Sequence, residues 1–115
     1  MSIETYNSLI ATLVRAMNAH DSDAVVACFT DQAVVRDEGR EHCGSTAIKA
    51  WIADGFQKYQ FKVEVINANE VKEEIDFNAR VSGTFEGSPI ELLHQLSVEK
   101  GKIVSLTISA AGKVA

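Results

Sequence analysis

The feature that most limits what this chain can become is a change of hydrophobic period at Phe61. Before it, apolar residues recur every three or four positions: Ile3, Tyr6, Leu9, Ile10, Leu13, Val14 and Met17 form one stripe, and Ile48, Trp51, Ile52 and Phe56 another. That is the spacing of helices with one buried face. After it the period is two. Phe61, Val63 and Val65 alternate with Lys62 and Glu64, and Ile75, Phe77, Ala79, Val81, Gly83 and Phe85 alternate with Asp76, Asn78, Arg80, Ser82 and Thr84. Such alternation marks strands with one face on a core. Helices first and strands afterwards argue against a parallel βαβ arrangement. They predict an α+β domain in which three N-terminal helices pack across one face of a strongly twisted antiparallel sheet.

Polar and turn-forming residues set the boundaries. Asn18 to Asp21 interrupt the first stripe, and Asp21 or Ser22 starts a short second helix that Asp31 closes, with Ala24, Val25, Cys28 and Phe29 facing the core. Val34 and Val35 begin an extended stretch, and the polar run from Arg36 to His42, with Gly39 inside it, reads as a loop or open hairpin. Ser45 is the expected cap of a third helix from Thr46 to about Gln57. Asn67-Ala68-Asn69 marks a bend or bulge, and Gly87-Ser88-Pro89 turns the chain into a second long strand, Ile90 to Val98. A hairpin turn at Glu99 to Lys102 leads to the last strand, Ile103 to Ala110. With 115 residues, the chain reads as one domain, 1–115, around one core.

Charge and composition exclude several functions. Eleven Lys and Arg against sixteen Asp and Glu leave a net charge of -5. No basic patch is concentrated enough to neutralise phosphates, so nucleic acid is not an expected partner. Nothing approaches the roughly eighteen consecutive apolar residues of a membrane span, and no basic region leads into an apolar run at the N-terminus, so the expectation is a cytoplasmic protein without membrane contact. Cys28 and Cys43 form no CxxC pair, which suits a reducing compartment. His42 and Cys43 are adjacent and diverge in an extended segment, and Cys28 lies on a core stripe, so no metal site is expected. The absence of a Gly-rich phosphate loop predicts chemistry without a cofactor.

The stretch Leu13 to Phe29 includes Met-Asn-Ala-His-Asp followed by Ser-Asp-Ala-Val-Val-Ala-Cys-Phe. It continues through Thr30-Asp-Gln-Ala-Val-Val-Arg-Asp37, then His42-Cys-Gly-Ser-Thr-Ala-Ile48, and the chain closes with Gly101-Lys-Ile-Val-Ser-Leu106. Over nearly its full length the chain resembles the nuclear transport factor 2-like superfamily, in its SnoaL-like and ketosteroid isomerase-like branch. The resemblance implies a cone-shaped fold with a pocket between the helices and the concave sheet face, and a homodimer through the opposite face. It implies no single activity, since the fold hosts isomerases, cyclases, dehydratases, hydrolases, carriers and dimerisation modules.

Asp37 matches the general-base aspartate of the ketosteroid isomerase pattern; read without the resemblance it is a loop carboxylate between Arg36 and Glu38. A desolvated carboxylate at a pocket mouth suits removal of a proton from carbon beside a carbonyl. The donors that stabilise the enolate in that pattern align with Leu13 and Leu93, neither of which donates a hydrogen bond, so a steroid isomerase is not expected. His42 can face Asp37 as an acid or base, and Tyr6 can reach the pocket from the first helix. Each also has a plain reading, as a surface histidine and a helix anchor. Leu13, Trp51, Phe56, Tyr59, Phe77, Val81, Gly83, Phe85 and Leu93 are the expected pocket lining, with Gly83 leaving space for a ligand or marking a bulge. His94, out of phase with Leu93, is expected on the opposite face with Leu96, and His20 is expected to complement the dipole of the first helix. The leading expectation is a protein that binds a small apolar carbonyl metabolite and acts on it by acid–base chemistry. The alternative is a non-catalytic homodimeric carrier or association module whose pocket is filled.

Overall fold

The structure, a computed structural model, describes residues 2–110 and the side chains of residues 8–110. Three helices, α1 (Ser2–Asn18), α2 (Ser22–Val26) and α3 (Gly44–Tyr59), pack on a six-stranded sheet. The strands are β1 (Phe29–Asp37), β2 (Arg40–Cys43), β3 (Lys62–Val71), β4 (Glu74–Ser82), β5 (Ile90–Glu99) and β6 (Lys102–Ala110), in the order β2-β1-β6-β5-β4-β3. Every neighbouring pair is antiparallel except β1 and β6, which run parallel. The fold is α+β, as the change of period requires. None of the described helices is long and apolar enough to cross a membrane.

The core lies between the helices and one sheet face. Leu13 and Met17 of α1, Val25 of α2, and Ile48 and Ile52 of α3 meet Val35, Phe77, Leu96, Ile103 and Leu106 of the strands. Complete burial of each such side chain contributes about 1.5–3 kcal/mol.

α1 ends on a left-handed residue, His20 (φ 55). The Asp21 N–H reaches back to the Ala16 carbonyl and the His20 N–H to the Met17 carbonyl, both at 3.0 Å, so the last turn is closed by a Schellman motif. Asp21 then caps α2, its carboxylate accepting from the Ala24 N–H at 3.0 Å.

Several boundaries differ from the sequence expectation. β1 begins at Phe29, so Asp31 lies inside a strand; Phe29 pairs with Ile103, and an irregularity in the β1–β6 ladder separates it from the pairs that begin at Val34. Glu38 and Gly39, both at positive φ, make the tight turn of a true β1–β2 hairpin, the two-residue connection whose twist matches its strands. α3 starts at Gly44 with Cys43 in the cap position and no side-chain cap, so Ser45 lies in its first turn.

β4 stops at Ser82 because the chain passes too close to the end of α3. A Cβ on Gly83 would stand 2.4 Å from the Tyr59 carbonyl oxygen and 3.2 Å from Phe61 Cα. Gly83 therefore marks a close backbone approach rather than room for a ligand. The same carbonyl accepts from the Thr84 N–H at 2.8 Å.

The phase of β5 is opposite to the expected one. Phe77 pairs with His94, Asn78 with Leu93, and Ile75 with Leu96. Leu92, His94 and Leu96 accordingly share the helix-covered face, and Leu93 lies on the other. A shift of one residue reverses every side chain in a strand. The adjacent leucines 92 and 93 hid the phase, although Ile90, Leu92, Leu96 and Val98 do alternate, with His94 filling the one polar gap.

Candidate active site

The space that side chains leave between α3 and the inner face of the sheet is a cavity of about 510 Å³. Its buried floor is made by Met17, Ile52, Val63, Val81 and His94, and its exposed rim includes Glu38, Asp54, Lys58 and Ile90. Of the residues expected to line a pocket, Trp51, Tyr59, Val81 and Phe85 do so. Leu13, Phe56 and Phe77 are buried in the core behind it. Leu93 is on the opposite sheet face and Gly83 supports the turn beside α3. The Tyr6 side chain lies outside the described residues.

Asp37 ends β1, the parity that buries Val35 carrying its side chain inward. It is half-buried on the cavity wall, and its carboxylate Oδ2 accepts a hydrogen bond from the Trp51 indole N–H at 3.0 Å. Trp51 stands on α3, fourteen residues away, and fixes the carboxylate from across the β2–α3 connection. Burial pushes the Asp37 carboxyl above the ordinary carboxylate range. The Trp51 hydrogen bond opposes that rise, the Glu38 charge adds to it, and His42 opposes it.

His42 does not take the place of Trp51. Opposite Val35 in the β1–β2 ladder, its ring lies 6.0 Å from the Trp51 ring, and the side-chain hydrogen bond of Asp37 goes to the indole. Among the described residues, no group of three or more His, Cys, Asp or Glu side chains could hold a metal ion.

His94 is the polar group that the sequence reading placed on the wrong face. It is 2% exposed, stacks on Phe77 at 4.4 Å with 9° between the rings, and lines the cavity. Its Nδ1 is buried and, among the described residues, has no hydrogen-bond partner within bonding distance. Burial lowers its pKa to about 4, against a smaller opposing effect of a long backbone hydrogen bond with Leu92, so the ring is neutral at neutral pH.

His20 also has more than a helix-end role. Its ring stacks on Phe56 at 4.6 Å, and Nε2 is 2.9 Å from the Phe61 carbonyl. Beside it the Asn18 amide pairs with both backbone groups of Val63, donating to the carbonyl at 2.9 Å and accepting from the N–H at 2.7 Å. The Asn-Ala-His-Asp segment thus fastens α1 to β3, an edge strand, and holds Phe61 and Val63 at the cavity. Two neighbouring polar residues at a helix end were the only sequence signal of this clamp.

Solved structures share the fold. A candidate polyketide cyclase from Sinorhizobium meliloti is 29% identical, with a TM-score of 0.85 over 89% of this chain and 94% of that one. A protein with a ketosteroid isomerase-like fold from Catenulispora acidiphila, in complex with trimethylamine, has a TM-score of 0.82 at 16% identity, over 90% of this chain and 85% of that one. SalBIII, an epoxide hydrolase/cyclase-like enzyme in pyran ring formation in the polyether salinomycin, has a TM-score of 0.82 at 17% identity, over 92% and 90% of the two chains. The architecture is therefore the NTF2-like, ketosteroid isomerase-like class of α+β folds. No curated protein sequence matches the chain significantly. A family model does: over residues 10–106 the chain matches the SnoaL-like domain, and it belongs to that family.

Proposed function

We propose that the protein binds a compact, largely apolar carbonyl metabolite in the cavity beside Asp37 and moves a proton on it, without a cofactor. The observation that carries this reading is Asp37 itself: a half-buried carboxylate, oriented by Trp51 and made more basic by desolvation, on the wall of a cavity of about 510 Å³. Asp37 would take a proton from the carbon next to the carbonyl, the C–H electron pair moving toward the carbonyl oxygen to form an enolate. Return of the proton to another carbon gives isomerisation; loss of a β-leaving group gives dehydration; attack of the enolate carbon on a second carbonyl gives cyclisation.

The candidate polyketide cyclase from S. meliloti and the cyclase-like SalBIII support this class of chemistry by similarity. Unfilled volume of this size speaks against a module whose pocket is packed shut. A homodimer through the outer sheet face is part of the proposal, supported by the half-buried Val34 and Leu93 on that face.

The test uses 2-indanone as probe and follows hydrogen–deuterium exchange at its α-carbons by NMR. The protein should accelerate exchange above the buffer rate, and Asp37→Asn should return it to that rate. Exchange equally fast in the Asn variant would remove Asp37 from the chemistry. Binding of the probe with no acceleration in the unsubstituted protein would leave a carrier.

A further inference from the structure

We propose that Gly55 determines which ligands the cavity accepts: the bare stretch of α3 backbone between Trp51 and Tyr59 is where the apolar body of the ligand lies, and a side chain as small as a methyl would exclude it. This deepens the small-molecule reading of the cavity and rests on it.

Glycine at this position breaks a local rule. Gly55 lies inside α3, the 16-residue helix from Gly44 to Tyr59, and after proline glycine is the least favourable residue in a helix interior. The ordinary reasons for a glycine are missing. The backbone does not require one, since the glycines at positive φ are Gly39, Gly44, Gly87 and Gly101. No neighbouring backbone requires one either. A Cβ at position 55 would meet a single described neighbour within 4 Å, the ring atom Cε2 of Phe61 at 3.3 Å. Phe61 is half-buried and itself stands at the cavity, so its ring has open space into which to give way. At Gly83, by contrast, the obstacle is a backbone oxygen at 2.4 Å.

What Gly55 does have is a place on the cavity wall. Trp51, Gly55 and Tyr59 follow at four-residue spacing along one face of α3, and all three line the cavity. Successive members of that row stand roughly 6 Å apart along the helix axis. The Trp51 indole is committed to Asp37 by its 3.0 Å hydrogen bond. The Tyr59 ring is committed to Phe85, edge to face at 5.8 Å. Two rings held at either end leave a gap floored by backbone, and glycine lets a ligand approach that backbone closely. A ligand carbon that gives its proton to Asp37 lies beside Trp51, so the part of the ligand one helical turn farther toward Tyr59 rests on Gly55.

The experiment measures dissociation constants of cyclopentanone and 2-indanone for the unsubstituted protein and Gly55→Ala. The two ketones share the five-membered ring and its carbonyl; the fused benzene ring of 2-indanone alone reaches the middle of the row. Gly55→Ala should weaken 2-indanone about tenfold, the loss of one close apolar contact, and leave cyclopentanone within about twofold. It should melt no lower than the unsubstituted protein, because alanine favours the helix. A glycine with a merely structural role would not separate the two ketones. The same selective loss of 2-indanone on adding Gly55→Ala to Phe61→Leu supports direct exclusion by the methyl. Loss that disappears in the Phe61→Leu background makes Gly55 a seat for that ring and overturns the proposal.

Unchanged 2-indanone affinity in Gly55→Ala, or an equal loss for both ketones, overturns the proposal and leaves the cavity reading intact. Failure of 2-indanone to bind the unsubstituted protein overturns both. Should Gly55→Ala not fold, the unsubstituted protein decides. A nuclear Overhauser effect between the Gly55 α-protons and the aromatic protons of bound 2-indanone supports the proposal, and its absence overturns it.

Discussion

Stability should fall with pH through the titration of a single histidine. Burial holds His94 at a pKa of about 4, against 6.5 for a free side chain. Between those two values the unfolded chain binds a proton that the folded protein does not, so the folded state loses ground as pH drops. The contribution is fully present above pH 6.5 and gone once pH has passed below 4. Each pH unit across that window is worth about 1.4 kcal/mol, and the loss reaches about 3 kcal/mol. With a urea m-value of about 1.5 kcal/mol/M for a domain of this size, the unfolding midpoint should fall by about 2 M. The assay is urea unfolding from pH 7 to pH 4 for the unsubstituted protein and His94→Phe. Asp37, Glu38, Asp54 and Lys58, the other charged groups around the cavity among the described residues, are present in both proteins, so the difference isolates the imidazole. The two midpoints should converge with increasing pH in that window and separate as pH falls, the phenylalanine variant becoming the more resistant in acid. Parallel curves, or a His94 ring resonance that titrates near 6.5, would refute the reasoning.

Proton transfer follows pH in the same direction, through a different group. The raised pKa of Asp37 predicts exchange of 2-indanone that climbs with pH through that value and levels off above it, and a flat profile would exclude a carboxylate base. Because ionising Asp37 in its half-buried place costs stability at neutral pH, Asp37→Asn should unfold no more easily than the unsubstituted protein; a clear loss in thermal denaturation would show that the charge holds structure instead. Gly83→Ala forces a Cβ against the Tyr59 carbonyl, 2.4 Å away, and should lower stability by about 1–3 kcal/mol; an unchanged melting temperature would mean the contact relaxes freely. Asn18→Ala removes both hydrogen bonds to Val63 and should cost on the order of 1–3 kcal/mol, with faster amide exchange at Val63 than elsewhere in the sheet. Equal exchange in the two proteins would show that β3 does not depend on the clamp.

What could be read from the chain follows from which forces act locally. The helix stripes, the strand Ile75 to Val81 and the hairpin at Glu99 to Lys102 are set by period and turn chemistry, both visible within a few residues. Asp37 stood out because it matches the general-base aspartate of the family the chain resembles; the residues alone gave only a loop carboxylate. Its partner did not, since Trp51 comes to it from a helix fourteen positions later. The phase of β5 failed for a local reason: Leu92 and Leu93 are equally apolar, and the position that completes the alternation holds a histidine. The end of β4 failed for a non-local one, the approach of the Tyr59 carbonyl to Gly83. Boundaries of the first kind are recoverable from sequence once each strand is tested in both phases; those of the second kind are not.

The one polar residue on an otherwise apolar strand face is also a place where stability is not maximised. A phenylalanine at position 94 would stack on Phe77 as well, would leave no nitrogen unpaired, and would remove the acid sensitivity of the fold. By packing alone it is the better residue. Had the cavity been closed, histidine at that position would carry only costs. The cavity is open, and His94 is among the residues that line it. Local rules of folding are broken most informatively where a site needs the exception.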